Sequence, residues 1–353
     1  MKQISVLGID LAKNVFQLHG VNESGQVVLR KQLRRSQLLK FCANLPPCLI
    51  GMEACGGAHY WARKLSEYGH EVKLMAPAFV KPYVKSNKND RNDAEAICEA
   101  VTRPSMRYVA IKTPAQQGLF HLHHSRRLLV KQRVALGNHL GGVLLEFGIV
   151  LPQGARSINQ RLPEILEDAE NGLPGEVRAL LKTVKESYDQ LETQIEQLTR
   201  AIAVWHRENE VSQRLETIPG IGVLTATILA ALLGQRGEDF ANGRQLAAYL
   251  GLVPRQASSG GKDRLLGISK RGDGYVRSLL IHGARAVIRH VRRRQQLGQP
   301  GGNPWVEQLL TRCHPNEVAV ALANKMARTA WAVTCRQTPW QPAREIVSGA
   351  SEA

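Results

Sequence analysis

Short apolar segments separated by turn-forming residues occupy the first hundred positions of this 353-residue chain. Each segment is too short for a helix and is rich in Val, Ile or Leu, which predicts strands. The predicted elements are, in order, strands at 4–10, 14–20 and 25–30, a helix at 35–44, a strand ending at Glu53, a helix at 57–68 and a strand at 71–75. The first three strands form an antiparallel meander.

Three antiparallel strands followed by alternating strands and helices indicate a mixed α/β sheet. This order is typical of an α/β ribonuclease H-like domain, which we place at residues 1–112. The rest of the chain has helical periodicity instead, so the α/β domain is confined to the N-terminal part.

Apolar residues at alternating steps of three and four run through two long segments in the middle of the chain. The first, 114–147, begins with a proline at its first helical position and carries Arg126 and Arg133 on its apolar stripe. The second, 176–207, sustains the pattern over several heptads, which predicts a coiled coil. A Pro/Gly-containing connection at 148–175 joins them. This linker, 113–210, either folds back within one chain or pairs its second helix with a neighbouring subunit.

From residue 211 onward the chain is basic, and its pattern predicts mainly helices. We assign 211–336 to a C-terminal domain. Within it, Ile218–Gly222 lies between two apolar helical segments, which predicts a helix-hairpin-helix. Its glycine turn places backbone N–H groups at a helix start, where a nucleic-acid phosphate can bind. A plain packing turn is the alternative. Residues 337–353 form a polar tail.

Charge is the most informative feature of the composition: 47 Lys and Arg stand against 30 Asp and Glu, a net charge of +17. This excess predicts nucleic acid as a partner. No apolar run is long enough to span a bilayer and no secretion signal is seen, so we expect a cytoplasmic protein without a membrane partner. The six cysteines show no metal-ligand spacing, which argues against zinc. His121, His123 and His124 lie in a basic helix, where contact with phosphate or solvent is expected.

Four acidic residues stand where the α/β domain can bring side chains together. Asp10 and Glu53 each end an apolar strand, and Asp90 and Asp93 lie three apart where a loop turns into a helix. That spacing places both on one helical face. Converging carboxylates repel unless a cation lies between them, and hard oxygen ligands suit Mg²⁺ or Mn²⁺. We therefore predict a shared divalent metal site, although any one of the four taken singly is explained by a turn or a helix cap.

A second chemical site is indicated by the segment from Ser258 to Gly261. A serine flanked by glycines has an unshielded hydroxyl and a backbone that can approach a phosphate closely, although such a loop alone is typical of a flexible linker. Arg277 and Arg285 further on belong to a helical stripe suited to a nucleic-acid backbone. Four basic residues nearer the serines can neutralise phosphate charge: Lys262, Arg264, Lys270 and Arg271.

Together these segments resemble the DEDD transposases of bacterial insertion sequences, relatives of the Piv/MooV DNA invertases that include bridge-RNA-guided recombinases. The strand ending at Asp10, the strand ending at Glu53 and the segment 89–93 match the family's ribonuclease H-like (RuvC-like) domain, and the two long helices match its linker. Four further segments match its C-terminal transposase domain: Ile218–Gly222, Leu250–Pro254, Ser259–Gly260 and Ile268–Gly272.

The resemblance implies a composite active site. Asp10, Glu53, Asp90 and Asp93 would bind the metal, and a serine, Ser259 rather than Ser258, would attack DNA to form a covalent phosphoserine. Such a phosphodiester keeps its bond energy, so strands can be resealed without ATP. In the family the two domains meet across subunits of a homo-oligomer, here expected to be a dimer or tetramer, that joins element-end and target DNA on a structured guide RNA. We therefore expect a transposase that excises and inserts its own mobile element.

Three other functions remain open from the residues alone. A Holliday-junction-resolvase-like, metal-dependent endonuclease would use water and leave the serine loop without a role. An actin-like ATPase or sugar kinase also ends its first strand in Gly-Ile-Asp, but Leu11–Asn14 follows here instead of a Gly/Thr-rich phosphate turn. An inactive nucleic-acid binder is the third, and the intact acidic positions argue against it.

Overall fold

The computed structural model describes residues 3–85 and 89–342. The chain divides into two compact units, the first ending at Ala115 and the second beginning at Gln116. Across the described ranges, no helix is both long and apolar enough to cross a lipid bilayer. The predicted polar tail lies outside the described residues from position 343 onward.

The first unit is built on a six-stranded sheet in the order β3-β2-β1-β4-β5-β6. Its strands are β1 (Val6–Asp10), β2 (Val15–Val21), β3 (Val27–Arg34), β4 (Leu49–Glu53), β5 (Glu71–Met75) and β6 (Tyr108–Val109). Strands β1 to β3 form an antiparallel meander, β1, β4 and β5 are parallel, and β6 is antiparallel to β5. The predicted meander and the two strands after it are confirmed, and the order is compatible with a ribonuclease H-like fold.

Helices cover both faces of this sheet: α1 (Leu38–Ala43), α2 (Ala58–Ser66), α3 (Pro77–Val80) and α4 (Asp90–Ala100). Because side chains alternate along a strand, Leu7 of β1 belongs to a core that includes Trp61 of α2. Val6 points to the opposite face, where it shares a core with Ile97 of α4. Asp10, four residues after Val6, lies on this α4 face.

Two glycines allow α4 to lie directly on the sheet. A Cβ atom at Gly8 would come within 2.6 Å of the Cys98 backbone nitrogen, and one at Gly51 would come within 2.8 Å of the Val101 Cβ. Real Cβ atoms do not approach other atoms this closely, so a larger residue at either position would push the helix away. The absence of these two side chains is what lets α4 cross β1 and β2 closely.

The second unit contains two long helices and a shorter one between them in sequence: α5 (Pro114–Glu146), α6 (Ala155–Glu167) and α7 (Gly175–Arg207). Helices α5 and α7 contact each other within one chain and run antiparallel. Arg126 Nε donates to Thr199 Oγ1 at 2.6 Å, and Arg133 pairs with Glu192 at 3.3 Å. These contacts correspond to the alternative in which the linker folds back on itself.

The connection 148–175 between the two long helices contains a helix of its own, α6, for which the sequence analysis gave no bounds. Pro163 lies inside the helix, and Ile158 and Leu162 are buried in a core shared with α5 and α7. A Cβ at Gly137 of α5 would lie 2.8 Å from Ile158 Cδ1, so this glycine gives α6 room to approach. Burial of its apolar face offsets the cost of an interior proline.

The remaining helices pack around one apolar core. They are α8 (Glu210–Glu216), α9 (Val223–Leu233), α10 (Gly243–Tyr249), α11 (Gly274–Gln296), α12 (Pro304–Leu310) and α13 (Pro315–Arg336). Between α10 and α11 the chain forms an antiparallel hairpin of β7 (Pro254–Gln256) and β8 (Leu265–Ile268). The sequence analysis predicted a mainly helical region with a loop at the serines and missed the two strands, because their exposed residues show no apolar alternation.

Helices α8 and α9 flank the predicted helix-hairpin-helix turn. Gly220 has a φ of +88°, and a Cβ atom there would lie 2.9 Å from the Gly283 carbonyl oxygen of α11. Close packing on α11 therefore accounts for this glycine, whereas Gly222 is exposed at the start of α9. Phosphate binding at the turn, supercoiling of α5 with α7, and the domain boundaries at 112, 210 and 336 stay predictions.

Candidate active site

Asp10 ends β1 on the sheet face that α4 covers. Val6, Gly8 and Asp10 share this face, because side chains of a strand alternate with a period of two residues. Strands β2 and β4 flank β1 on both sides, and Gln17 of β2 pairs with Asp10. The carboxylate is therefore held at the end of a buried strand, beside the helix.

Asp90 and Asp93 lie in the first turn of α4. Asn89 caps this helix, and its Oδ1 accepts from the Asn92 backbone N–H at 2.9 Å. The cap fixes the helix start at Asp90, so the two aspartates lie three residues apart on one face. The positive end of the helix dipole favours carboxylates at this position. The predicted boundary between loop and helix is confirmed.

Three of the predicted metal ligands converge. Oxygen atoms of Asp10, Asp90 and Asp93 lie within 4.8 Å of one another. Asp90 is exposed and the other two are half-buried, so the group is accessible from solvent. Carboxylates at this spacing repel, and a divalent cation among them would offset the repulsion. The donor set fits a hard cation such as Mg²⁺, which takes few carboxylates and keeps water or phosphate as its other ligands.

Glu53, the fourth predicted ligand, ends the neighbouring strand. Ile9 pairs with Met52 in the parallel β1–β4 ladder, so Asp10 and Glu53 follow at adjacent strand ends and on the same face. Glu53 does not belong to the group of Asp10, Asp90 and Asp93, whose oxygens all lie within 4.8 Å of one another. The path of α4 explains this difference, because the helix lies more over β1 and β2 than over β4.

Cys55 is a neighbour of the acidic residues that the sequence did not single out. Burial raises the pKa of its thiol, and the carboxylates of Glu53 and Asp10 raise it further. The thiol therefore stays protonated at neutral pH, and a soft sulfur ligand suits Mg²⁺ poorly. Its one sequence signal was its position two residues after Glu53.

The serine segment forms the tip of the β7–β8 hairpin. Ser259 and Lys262 face each other in a bridge, with the Lys262 N–H donating to the Ser259 carbonyl at 3.1 Å. Gly260 and Gly261 between them have φ angles of +57° and +74°. A two-residue loop with two positive φ angles is a type I′ turn, which glycine adopts without strain. The segment is therefore a defined turn rather than a linker.

The two serines have different surroundings. Ser258 Oγ donates to Asp263 Oδ1 at 3.1 Å. It also accepts from Gln256 Nε2 at 2.9 Å and from the Arg264 backbone N–H at 3.2 Å. The Ser259 hydroxyl has none of these partners and is exposed at the tip. Ser258 thus stabilises the hairpin, and Ser259 presents its hydroxyl to solvent.

The basic residues predicted to bind nucleic acid differ in their exposure. Arg277 is half-buried on α11, and its guanidinium donates to the carbonyls of Leu250 and Arg271 at 3.0 and 2.8 Å, so it braces the loop before α11. Arg285 is exposed further along this helix. The four nearest the serines are all exposed: Lys262, Arg264, Lys270 and Arg271.

Comparison with known proteins places the chain in a family. A family model described as "Transposase IS116/IS110/IS902 family" matches residues 212–299, and a DEDD-type IS110 model described as "Transposase" matches residues 7–149. A probable family 20 transposase of Pseudomonas aeruginosa is 49% identical over 340 residues, which cover 96% of this chain and 99% of the relative. The chain belongs to the IS110/IS116 family of DEDD transposases.

Two further transposases are also similar to this chain over nearly its whole length. The transposase for insertion sequence element IS1328 of Yersinia enterocolitica is 47% identical over 340 residues, 96% of this chain and 99% of the relative. That for IS1111A of Coxiella burnetii is 44% identical over 344 residues, 97% of this chain and 92% of the relative. The four acidic residues lie within the DEDD match at 7–149, and Ser259 lies within the IS116/IS110/IS902 match at 212–299.

In this DEDD transposase one histidine of α5 is a structural residue. His123 is fully buried, and its ring nitrogens lie 3.0 Å from Thr227 Oγ1 and 3.0 Å from the Tyr275 hydroxyl. Burial lowers the pKa of His123 to about 4. The prediction that it meets phosphate or solvent was wrong, because this side of α5 packs on α9 and α11. His121 and His124 are exposed.

Proposed function

We propose that this transposase excises and inserts an insertion sequence by attack of Ser259 on DNA phosphodiesters, assisted by a divalent metal and guided by a structured RNA. The observation that carries the proposal is that one chain holds both a carboxylate cluster and a serine hydroxyl exposed at the tip of a defined turn. A nuclease that uses water requires the first feature but not the second.

The metal would be held by Asp10, Asp90 and Asp93, with Glu53 at the adjacent strand end. A bound Mg²⁺ or Mn²⁺ would polarise the phosphate and offset the charge that develops in the transition state. The protein's own contribution is position: β1 and the capped start of α4 hold the carboxylates in place before DNA binds, which reduces the reorganisation needed during the reaction.

The serine step forms one bond and breaks one. Ser259 Oγ bonds to the phosphorus of a DNA phosphodiester, and the bond between that phosphorus and one sugar oxygen breaks. The leaving oxygen becomes a hydroxyl by taking up a proton in exchange for the one that the serine loses. Because the product is still a phosphodiester, a DNA hydroxyl can reverse the step on a new strand without ATP. The glycines after Ser259 let the backbone approach the phosphate.

The basic residues around the hairpin would bind the DNA or RNA backbone. Such contacts position nucleic acid without reading its sequence, so in this proposal base pairing with the guide RNA selects the element ends and the target. The net charge of +17 supports a complex with two kinds of nucleic acid. The carboxylates and Ser259 belong to different units, and we propose that a homo-oligomer, a dimer or tetramer in the cytoplasm, brings them together as one composite site.

The test is a strand-transfer assay with purified protein, Mg²⁺, element-end DNA and RNA transcribed from the flanks of the element. Products are trapped, digested and searched by mass spectrometry for a DNA adduct on peptide 256–264. Ser259→Ala should abolish the adduct. Ser258→Ala is the matched control, which weakens the hairpin but should keep the adduct on Ser259.

The outcomes separate the competing mechanisms. An adduct on Ser259 that requires both metal and RNA supports the whole proposal. An adduct that forms without RNA keeps the serine mechanism and removes RNA guidance. Metal-dependent cutting that persists in Ser259→Ala, without any adduct, would instead show a resolvase-like nuclease that uses water.

A further inference from the structure

One face of α13 packs on the core, and the opposite face lines a long open groove. Leu322 and Met326 are buried, whereas Lys325 and Arg328 on the other side are exposed. The groove has a volume of about 1440 Å³, and its other walls are β8, the start of α10 and Trp305 of α12. The base of the serine hairpin therefore forms one wall of this groove.

Positive charge predominates along the groove. Its one acidic residue is Glu317, against four cations: Arg244, Lys325, Arg328 and Arg336. In the described part of the chain, none of the ion pairs formed by Lys or Arg includes these four. Uncompensated positive charge on a concave surface raises the local concentration of a polyanion.

Aromatic and apolar side chains line the same groove. Lys325 Nζ lies 4.4 Å from the ring centroid of Trp305. Trp331 Nε1–H donates to the Phe240 carbonyl at 2.9 Å, which holds its indole in the wall, and Leu266 of β8 also contributes. Cations that bind phosphates beside rings that stack on bases are the two components of a single-strand site. A duplex keeps its base faces within its own stack, so this wall suits an unpaired strand.

A second cavity continues the cationic surface along α11. Its volume is about 640 Å³, and Asn316 at the start of α13 borders both cavities. Arg285 Nη2 donates to Asn316 Oδ1 at 3.2 Å, which links the two helices at this junction. The arginines that line the second cavity are Arg285, Arg289, Arg292 and Arg293. From Arg336 to Asn316, α13 alone extends for about 30 Å.

We propose that the two cavities form one track that binds a single strand of DNA next to the cleavage point. DNA is favoured because β8 is both a wall of the groove and the strand that leads to the serine turn, so the occupant is the nucleic acid that Ser259 attacks. The inference rests on the proposed function of Ser259. It adds a binding surface on α11 and α13 that neither the carboxylates nor the serine requires.

The test measures binding without metal, so that no cleavage occurs. Fluorescence anisotropy follows a labelled 20-nucleotide DNA strand, the same RNA strand and the DNA duplex, over a series of salt concentrations. The test variant is Lys325→Gln/Arg328→Gln. The matched control is Arg161→Gln/Lys182→Gln, which removes the same charge from exposed positions on α6 and α7. Thermal melts check that both variants are folded.

For the test variant we expect the Kd for single-stranded DNA to rise about tenfold and the slope of log K against log salt to fall by about 1.4, which corresponds to two lost phosphate contacts. The control should keep the wild-type slope. Wild-type affinity and slope in the folded test variant would overturn the proposal. A loss confined to RNA would overturn the assignment to DNA.

Failure of the track and failure of the serine mechanism are distinguishable. Ser259→Ala should bind single-stranded DNA with the wild-type Kd, because its hydroxyl is outside both cavities. If the mass-spectrometric test finds no adduct on Ser259 but Lys325→Gln/Arg328→Gln still loses DNA binding, the track stands and the proposed chemistry falls. If instead an adduct forms on Ser259 and Lys325→Gln/Arg328→Gln binds DNA like the wild type, the proposed chemistry stands and only the track is excluded.

Discussion

Gly8 of β1 lies so close to Ala94 of α4 that a Cβ atom at position 8 would overlap the Ala94 carbonyl oxygen. Asp10 follows Gly8 on the same face of the strand, and Asp93 directly precedes Ala94 in the helix. The contact between these two backbones therefore sets the separation of the two carboxylates. The glycine is needed here for close approach and not for chain flexibility.

Gly8→Ala should separate β1 from α4. The added Cβ must displace the helix backbone, which costs about 1–3 kcal/mol of unfolding free energy as overpacking, and it moves Asp93 away from Asp10. We expect a lower Tm and weaker Mn²⁺ binding, measured by calorimetry. Gly56→Ala is the control in the same unit, since nothing lies within 4 Å of its Cβ position. Unchanged Mn²⁺ affinity in Gly8→Ala would contradict this positioning role.

Asp93→Asn should weaken Mn²⁺ binding more than Glu53→Gln does. The reason is that the carboxylate of Asp93 converges with those of Asp10 and Asp90, and Glu53 is not part of this group. Without metal, Asp93→Asn should change the unfolding free energy by less than about 0.5 kcal/mol, because the repulsion that it removes and the favourable interaction with the helix dipole that it loses have opposite signs. Melting curves with and without Mn²⁺ measure both effects. An equal loss of affinity in the two variants would place Glu53 in the first coordination sphere with Asp93.

Acid should destabilise the second unit through His123. Its pKa is about 4 in the folded chain and about 6.5 in an unfolded one. Between these values only the unfolded chain binds the proton, so the free energy of unfolding decreases as the pH is lowered from 6.5 to 4, by about 3 kcal/mol in all. Above pH 6.5 the histidine is neutral in both states and contributes no pH dependence.

Urea unfolding at pH 7, 5.5 and 4.5, followed by tryptophan fluorescence, measures the His123 effect. His123→Gln should be less stable at pH 7 but lose less stability between pH 7 and 4.5 than the wild type. His121→Gln, at an exposed position of the same helix, is the control. The pKa of His59 in the first unit is also lowered to about 4, and its contribution is common to all three proteins. Parallel pH profiles for wild type and His123→Gln would exclude His123 as the cause.

Gly283→Ala should destabilise the second unit, because the added Cβ meets the Gly220 carbonyl of the turn between α8 and α9. The expected cost is about 1–3 kcal/mol. The same change at Gly142 of α5, where nothing lies within 4 Å of the Cβ position, should stabilise by about 0.5–1 kcal/mol through helix propensity. Thermal melts compare the two, and shifts of the same sign would argue against close packing of the turn on α11.

Some elements were predictable because their signals are local. Short runs of apolar residues identify β1, β2, β4 and β5, and the segment that contains Asp90 and Asp93 identifies the start of α4. Helix α6 was missed because Pro163 suggests a connection, and only burial of Ile158 and Leu162 against other helices stabilises it. The β7–β8 hairpin was missed because its strands bury nothing that would impose an alternating pattern.

The sequence by itself determined five strands of the first unit, the acidic residues at the ends of two of them and the glycine-flanked serine, because each depends on neighbouring residues. Only the tertiary structure decided that Asp10, Asp90 and Asp93 form one group of carboxylates, that Ser258 is hydrogen-bonded while Ser259 is exposed, and that His123 is buried. The carboxylate group and the burial of His123 depend on partners distant in the chain, and the different surroundings of the two serines depend on the folding of the hairpin. The physical reason is that packing, through backbone contacts such as those of Gly8, sets distances that local sequence patterns do not encode.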